Sequence, residues 1–267
     1  MDKEKRVLIE FKNVERKYII GERGFYALHD VNLSLYEGEM IVILGPSGAG
    51  KSTLLNLLGG LDSPTGGEIL FNGHDVACLN DNALTAYRAF YISVVFQFYN
   101  LVPTLTAYEN VALMRDVRKN ALRSVPKSNP LFEGNMDEIL DPMECLKAVG
   151  LSEHSHQFPS QMSGGEQQRV SIARALCKNP KVLLCDEPTG ALDTKTGQDV
   201  LKLLQNMSRE KKKTVVMVTH NSFFADIADT VIRVKNGTIM SVEHNENPKD
   251  ASEVRCLCLQ KGRIRSN

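Results

Sequence analysis

The sequence predicts an α/β fold in which a β–α core is interrupted by a helical insertion. Strand-length apolar runs at residues 40–44, 182–185 and 215–218 are typical of buried strands in a parallel sheet. The first of these runs leads through a glycine-rich loop into a helix predicted over residues 51–58. Between residues 100 and 174 the apolar positions instead recur with helical spacing, as at Leu140, Met143, Leu146 and Val149.

Length and charge limit both the architecture and the partners. The chain has 267 residues, with 32 basic and 32 acidic side chains. Such a length suits one large α/β domain that carries an insertion. A balanced charge provides no positive field that would attract nucleic acid or an anionic lipid surface. We therefore expect one catalytic unit and no nucleic-acid partner.

The cellular location is predicted from the shortness of the apolar segments. No apolar run approaches the roughly 18 residues of a bilayer-spanning helix, and residues 1–6 are charged without an apolar signal segment behind them. The six cysteines show no zinc-site spacing, so we expect reduced thiols. These features predict a cytoplasmic chain.

The elements before the insertion are predicted mainly as strands. Residues 7–11 and 31–35 have strand character, and a short strand at residues 68–71 ends in the turn signal Asn72-Gly73. Strands return at Lys181, after a helix that the following proline ends. The core is therefore predicted on both sides of the helical segment.

A phosphate-binding loop follows the strand at residues 40–44. It matches the pattern G-x-x-x-x-G-K-[ST] with Gly45, Pro46, Ser47, Gly48, Ala49, Gly50, Lys51, Ser52 and Thr53. Glycines let backbone N–H groups turn inward around a β-phosphate, and the helix start adds a positive dipole. Lys51 is predicted to reach the β and γ oxygens, and Ser52 to offer its hydroxyl to Mg²⁺.

Two adjacent carboxylates end the apolar strand at residues 182–185. Asp186 is predicted to hold the Mg²⁺ shell, and Glu187 to polarise the attacking water as general base. Neighbouring carboxylates at a strand end are unfavourable unless a cation or a proton compensates them. The pair therefore favours metal-assisted phosphate chemistry over a purely structural role.

A serine-diglycine helix start lies between these two motifs in the sequence. Ser163 and Glu166 have the spacing of a capping box, while Gly164 and Gly165 leave the backbone N–H groups open to an anion. Capping and phosphate binding are compatible at one helix start. Many nucleotide-binding proteins have only the outer two motifs, so this third element indicates an ATPase that works as a pair.

The set of motifs resembles the ATP-binding cassette (ABC) family over about residues 5–240. Besides the three motifs above, Gln97 lies at the position of that family's Q-loop, and residues 191–193 resemble its D-loop. His220 follows a strand as the family's switch histidine does, and Tyr18 lies where the family places an aromatic ring against adenine. The resemblance implies a mixed sheet flanked by helices, an antiparallel β subdomain and an inserted helical subdomain.

The resemblance also implies roles for single residues. Gln97 would link Mg²⁺ and the attacking water to a transport partner, and His220 would contact the γ-phosphate. Ser163 with Gly165 would close on ATP held by the opposite subunit. One departure is Glu166, where many members of the family have glutamine. Its charge suits the helix dipole but is repelled by an approaching γ-phosphate, so the sequence leaves the sign of its effect open.

The resemblance further implies the domain limits and the partner. It implies an ABC ATPase domain over residues 5–240, with the helical subdomain at about residues 98–175 and a polar, weakly ordered tail over residues 241–267. Residues 96–111 resemble the MacB, LolD and FtsE branch, in which the ATPase drives a permease with few membrane spans. That branch implies a peripheral location on the inner face of the cell membrane and a second ATPase subunit, an identical one being expected.

The sequence leaves open two alternative functions and two interpretations of one segment. A soluble ABC ATPase could act on ribosomes or DNA without a permease, although such chains usually carry two cassettes or long coiled-coil insertions. A small-molecule kinase could use the phosphate loop but does not account for residues 163–167. Residues 115–135 are basic and contain two prolines, which predicts an irregular surface segment that is either solvated or bound to an acidic partner surface.

Overall fold

The computed structural model describes residues 6–21, 23–125, 130–132 and 138–253. Its strands are β1 (Val7–Ile20), β2 (Arg23–Tyr36), β3 (Met40–Leu44), β4 (Gly66–Phe71), β5 (His74–Asp75), β6 (Ile92–Val95), β7 (Val182–Asp186), β8 (Thr214–Thr219), β9 (Thr230–Lys235) and β10 (Thr238–His244). Its α-helices are α1 (Lys51–Leu58), α2 (Asp81–Phe90), α3 (Ala107–Ser124), α4 (Pro142–Ala148), α5 (Gly164–Cys177) and α6 (Thr194–Arg209). None of the helices within these ranges has the length and apolar character needed to cross a membrane.

A six-stranded sheet in the order β10-β9-β3-β8-β7-β6 forms the centre of the fold. Strands β9, β3, β8, β7 and β6 run parallel, and β10 pairs antiparallel with β9 at the edge. Every residue of β3 and of β8 is buried, as expected for strands covered on both faces. The predicted mixed sheet flanked by helices is confirmed.

A four-stranded antiparallel sheet in the order β2-β1-β4-β5 covers one face of the central sheet. Strands β1 and β2 have 14 residues each, whereas the sequence predicted strands over residues 7–11 and 31–35 only. The extra length is a two-stranded ribbon with several register shifts and many exposed side chains. Alternation is weak in such a ribbon, so the period-2 signal is lost there.

Helices cover the opposite face of the central sheet. Buried side chains of α3, α4, α5 and α6 pack in one cluster with alternate residues of β3, β7 and β8, whereas α1 and α2 join the cluster on the other face. Helix α3 includes residues 115–124, so the first part of the predicted irregular basic segment is helical. Arg118 is only 3% exposed, and its guanidinium lies 5.0 Å from the centre of the Phe90 ring. Residues 126–129 and 133–135 of that segment lie outside the described residues.

The chain remains ordered beyond the predicted boundary at residue 240. Strand β10 continues to His244, and Ala251 is fully buried against α6. The Gln205 side chain accepts from the Ala251 N–H and donates to the Lys249 carbonyl. The described fold thus extends to residue 253, thirteen residues past the predicted end of the domain, because a buried glutamine of α6 binds the backbone of this segment. Residues 254–267 lie outside the described part of the chain.

Candidate functional site

The candidate site lies where four neighbouring parallel strands end. Strands β3, β8, β7 and β6 finish in register along one edge of the central sheet, since Leu44 pairs with Thr219 and Asp186 with Val218. Crevices at the carboxyl ends of parallel strands are the usual ligand sites of open α/β sheets. The predicted site residues that follow or end these strands are Gly45, His220, Asp186, Glu187 and Gln97.

The phosphate loop connects β3 to α1 through tightly packed glycines. Gly48 and Gly50 have φ values of +76° and +103°, in the left-handed region that favours glycine. A Cβ on Gly45 would lie 2.2 Å from the Val234 carbonyl oxygen, so a side chain there would displace β9. Turns of this kind let successive backbone N–H groups face one side, where an anion can bind.

The Lys51 ammonium lies within the loop that it is predicted to serve. It donates to the carbonyl oxygens of Gly45 and Pro46, each at 2.9 Å. Ala49 is buried, and its carbonyl accepts from the Gly237 N–H, which fixes the loop to the β9–β10 turn. The loop is thus held in shape by its own lysine and by the neighbouring strand pair.

A cavity of about 440 Å³ joins the phosphate loop to the β1–β2 ribbon. It is lined by Gly48, Gly50, Lys51, Ser52, Thr53, Tyr18, Phe25, Tyr26, Ala27, Asn236 and Gly237. The Tyr18 hydroxyl donates to Asp62 at 2.7 Å, and the Arg16 guanidinium lies 4.6 Å from the ring centre. The structure therefore places Tyr18 beside the phosphate loop with its ring fixed at both edge and face.

Phe25 and Tyr26 were not predicted as site residues. They enter the cavity because β2 pairs with β1 so that Tyr18 lies opposite Phe25 and Lys17 opposite Tyr26. The Tyr18 and Phe25 rings are 5.7 Å apart between centroids. Their place in the cavity could have been predicted only from the register of the β1–β2 hairpin. The register shifts of this ribbon prevent such a prediction.

Asp186 and Glu187 have different environments although they are adjacent. Burial, and secondly the neighbouring Glu187 charge, raise the pKa of the Asp186 carboxyl, while Lys51 opposes this shift. Glu187 has φ +47° and accepts from the His220 backbone N–H at 3.0 Å. Its carboxylate also lies 2.7 Å from His220 Nδ1 and accepts from the Thr219 hydroxyl at 3.2 Å. The predicted base and the predicted switch histidine are therefore in direct contact.

The remaining predicted metal ligand reaches the same region from β6. A Cβ on Gly190 would lie 2.9 Å from Gln97 Nε2, so the Gln97 amide packs against the turn that follows Glu187. The predicted donors for Mg²⁺ are the Ser52 hydroxyl, the Asp186 carboxylate and the Gln97 amide oxygen. Hard oxygen donors of this kind suit Mg²⁺, and a half-buried carboxylate with a raised pKa is the group that a divalent cation would stabilise. The residues present therefore fit the ion.

The serine-diglycine element forms the start of α5. Ser163 donates its hydroxyl to Glu166 Oε2 at 2.7 Å and its N–H to the same oxygen at 2.8 Å, while the Glu166 N–H bonds back to the serine oxygen at 3.3 Å. These bonds lower the pKa of Glu166, the serine hydroxyl first. The predicted capping box is present, and Ser163 itself is exposed.

Both glycines of this element pack closely against other segments. A Cβ on Gly165 would lie 2.0 Å from Thr196 Cγ2 of α6, and one on Gly164 would lie 2.6 Å from the Tyr99 hydroxyl. Helix α5 packs on the helical face of the central sheet, whereas α1 packs on the other face. Residues 163–166 do not line the cavity of the phosphate loop. The structure thus places the two predicted phosphate-binding motifs of one chain in different parts of the fold.

Comparisons with known proteins agree with this geometry. A profile of the ABC transporter family matches residues 28–190. A lipoprotein-releasing system ATP-binding protein LolD of Rhodopseudomonas palustris is 43% identical, over 87% of this chain and 98% of its own length. A macrolide export ATP-binding/permease protein MacB of Photorhabdus laumondii is 42% identical over 97% of this chain but only 38% of its own length.

The first relatives differ in how much of their length the chain covers. A putative ABC transporter ATP-binding protein of Mycoplasma pneumoniae is 41% identical, and the chain spans 50% of it. Two solved dimeric structures of one Methanocaldococcus jannaschii cassette each cover 89% of the chain. One is 42% identical with a TM-score of 0.75, and the other, a post-hydrolysis state bound to ADP and Pi, is 41% identical with a TM-score of 0.73. The chain therefore belongs to the ABC transporter family and is one of its ATP-binding ATPase cassettes.

Proposed function

We propose that two copies of this chain clasp two ATP molecules head to tail, hydrolyse them, and thereby drive a separate membrane permease. The observation that carries the proposal is the placement of Ser163 away from the phosphate loop of its own chain. A phosphate already held by one loop offers its open side to a second molecule, and the exposed start of α5 is suited to meet it. The dimeric state of the Methanocaldococcus jannaschii cassette supports the same arrangement.

In the proposed site each residue has one task. The phosphate loop with Lys51 binds the β- and γ-phosphates, and the aromatic ring of Tyr18 stacks on the base. Ser52, Asp186 and Gln97 would hold Mg²⁺, which neutralises charge on the phosphate oxygens when it is bound.

Glu187 is the proposed general base. Its carboxylate takes a proton from the water that attacks the γ-phosphorus, while the bond between that phosphorus and the leaving ADP oxygen breaks. Bonds from Thr219 and the His220 backbone orient the carboxylate for this step. The His220 ring, 2.7 Å from Glu187, would exchange this contact for one with the γ-phosphate.

A permease partner is supported by exposed apolar side chains directly after Gln97 and along α3. Phe98 is 71% exposed, and Leu113 and Val117 on α3 are 38% and 42% exposed. Exposed apolar residues next to a catalytic segment favour a protein partner over solvent. We propose that this surface docks the permease of a lipoprotein-releasing or macrolide-export type of system, which would place the chain at the inner face of the cell membrane. The transported cargo would be selected by the permease.

Glu187→Gln tests the hydrolytic part of the proposal. The amide cannot take the proton, so steady-state phosphate release should fall by about 100-fold or more while ATP binding persists, and the dimer should accumulate. Dimer formation is measured by light scattering in the presence of ATP. A matched control is Glu243→Gln, whose carboxylate pairs with Arg233 at the far edge strand. Unchanged turnover in Glu187→Gln would remove this residue from the base role.

A membrane co-purification experiment distinguishes the proposed function from the alternative of a soluble ABC ATPase. The proposal expects the full chain to co-purify with membranes only when its permease is present, and to gain ATPase activity with that permease. Equal membrane association in cells lacking any such permease, or association with ribosomes, would favour the alternative.

A further inference from the structure

Arg16 and Asp62 hold the Tyr18 ring but do not themselves line the nucleotide cavity. The Asp62 carboxylate uses both oxygens, since Oδ2 accepts from the Tyr18 hydroxyl at 2.7 Å and Oδ1 lies 2.7 Å from the Arg16 guanidinium. That guanidinium lies 4.6 Å from the centre of the Tyr18 ring. Tyr18 lines the cavity beside the phosphate loop, whereas Arg16 and Asp62 lie behind it. We therefore expect these two side chains to act on a bound nucleotide through the ring.

The position of Asp62 is set by the helix that begins at the phosphate loop. Its backbone N–H donates to the carbonyl of Asn56 in α1 at 3.3 Å. The turn between them is held by Arg88, whose guanidinium donates to the Gly60 carbonyl at 2.7 Å. One short helix thus carries the phosphate loop at its start and the carboxylate that binds Tyr18 just beyond its end. Helix α1 therefore fixes the distance between the ring and the phosphate loop.

Arg16 covers one face of the Tyr18 ring. A guanidinium at this distance is within the range of cation–π attraction, and its ion pair with Asp62 keeps it there. Both side chains of the ion pair are 21% exposed, and Arg16 Nε is buried without a hydrogen-bond partner among the described residues. The carboxylate and the ring thus position this arginine, rather than a full set of hydrogen bonds. A base can stack only on the ring face opposite to Arg16.

We propose that Asp62 and Arg16 are positioning residues for the nucleotide base. Asp62 fixes the edge of the Tyr18 ring, and Arg16 occupies one of its faces, so that the base of ATP stacks on the other face. The proposal rests on the function proposed above for Tyr18. It adds that the ring is ordered before the nucleotide arrives, which lowers the conformational entropy lost on binding.

Asp62→Ala gives the main test, because it releases the ring edge and the guanidinium together. The two ligands are ADP and inorganic pyrophosphate, which has no base. ADP affinity, measured by isothermal titration calorimetry, should fall about 3- to 10-fold, as expected for loss of one hydrogen bond and a weakened cation–π contact, while pyrophosphate affinity should be unchanged. In steady-state hydrolysis the KM for ATP should rise by a similar factor, and kcat should stay the same.

Two conservative variants separate the contacts and guard against misfolding of Asp62→Ala. Asp62→Asn retains hydrogen-bonding groups for the Tyr18 hydroxyl and the Ser63 N–H but weakens the ion pair with Arg16. Tyr18→Phe keeps the ring and removes only the hydroxyl. Each should lower ADP affinity by no more than about threefold, because each leaves the other contact in place. A loss in Asp62→Asn as large as in Asp62→Ala would contradict the proposal.

The matched control is Glu15→Gln. Glu15 lies on β1 three positions before Tyr18, and its carboxylate contacts His29 Nδ1 at 3.1 Å, away from the cavity. This variant also removes one negative charge from the ribbon. It should leave the affinities for ADP and pyrophosphate unchanged, so a fall in ADP affinity as large as that of Asp62→Asn would show that charge alone is responsible.

A double-mutant cycle with Tyr18→Ala gives the decisive readout. If Asp62 acts through the ring, Asp62→Ala should cost little further ADP affinity once the ring is removed. Equal losses in both backgrounds, or parallel losses of ADP and pyrophosphate, would overturn the proposal. Full ADP affinity in Tyr18→Ala would instead overturn the role proposed for Tyr18, and wild-type protein that does not hydrolyse ATP would overturn the proposed function, so the failures are distinguishable.

Discussion

Replacing Gly165 by alanine tests whether this glycine is needed for packing as well as for binding phosphate. The new Cβ would lie 2.0 Å from Thr196 Cγ2, whereas carbon atoms in contact are about 3.5–4.0 Å apart. Helices α5 and α6 would therefore have to separate by roughly 1.5 Å, or Thr196 would have to rotate. Rotation is resisted because Thr196 is β-branched and lies in the first turn of α6, where its side chain hydrogen-bonds the Asp193 carboxylate.

The expected loss of folding stability follows from the steric overlap between the new Cβ and Thr196 Cγ2. Forcing one additional methyl group into a packed contact costs about 1–3 kcal/mol, which corresponds to a fall of about 2–12 °C in the melting temperature. Gly164→Ala is the matched control. Its Cβ would meet only the Tyr99 hydroxyl, at the far end of a side chain that can turn, so the loss should be smaller. Thermal unfolding followed by circular dichroism measures both variants.

A compensating substitution separates packing from phosphate binding. Thr196→Ser removes the clashing methyl, so Gly165→Ala should regain most of its stability in that background. ATP-driven dimer formation in the double variant then reports whether Gly165 has a further role at the phosphate. The packing argument is wrong if Gly165→Ala is as stable as the wild type. It is also wrong if the substitution lowers stability equally with Thr196 and with Thr196→Ser.

The remaining predictions concern the nucleotide cavity and the metal carboxylate. Tyr18→Ala should weaken ATP binding by about 5- to 100-fold, the range for loss of one base-stacking ring, and affect turnover less. Tyr18→Phe should retain most of the affinity, and equal affinity of all three forms in nucleotide titrations would show that the ring is not at the base. Asp186→Asn should raise the melting temperature of the nucleotide-free protein at neutral pH, because burial raises the pKa of this carboxyl and its charged form is disfavoured. The gain should shrink as the pH falls through the raised folded-state pKa towards the ordinary value of about 3.9, and a constant gain down to that pH would contradict the reasoning.

Sequence patterns locate elements best where both the burial and the boundaries are encoded locally. The bounds of β3 and α1 agree with the sequence prediction, because an apolar run, a glycine loop and a leucine-rich helix follow one another directly. Helix α2 was not predicted, although Asn80 caps it through a bond to the Ala83 N–H. Its buried face contains several alanines, which give a weak apolar signal.

Site residues are predictable when a sequence motif identifies them. They are not predictable when only the pairing of strands places them in the site. Glu187 and His220 were identified singly, but their 2.7 Å contact depends on the adjacency of β7 and β8. Phe25 enters the cavity through a hairpin register that has several shifts. Gly165 was interpreted as a source of free N–H groups, whereas its close approach to Thr196 is a tertiary fact. The sequence thus predicted which residues carry the chemistry, whereas their mutual contacts depend on strand pairing and helix packing.

The sequence leaves open whether Glu166 helps or hinders closure on ATP, and its contacts with Ser163 predict that it hinders closure. The Ser163 hydroxyl donates to the Glu166 carboxylate at 2.7 Å, and this bond is the main cause of the lowered pKa of Glu166. The carboxylate therefore remains charged at neutral pH and holds the proton that Ser163 would offer to a γ-phosphate. His154 Nε2 lies 3.8 Å from the other carboxylate oxygen and reduces this charge only when the imidazole is protonated. Closure on ATP must break the bond in the presence of a second negative charge.

Glu166→Gln should therefore strengthen ATP-driven dimer formation, because an amide oxygen holds the serine proton less tightly and does not repel phosphate. The same change should lower stability at neutral pH. A folded-state pKa below the ordinary value stabilises the chain above that value, and the contribution is lost as the pH falls through the folded pKa. Glu109→Gln is the matched control, since Glu109 makes the same capping box with Thr106 at the start of α3. It should lose stability in the same way and leave dimer formation unchanged, whereas weaker association in Glu166→Gln alone would show that the carboxylate assists closure.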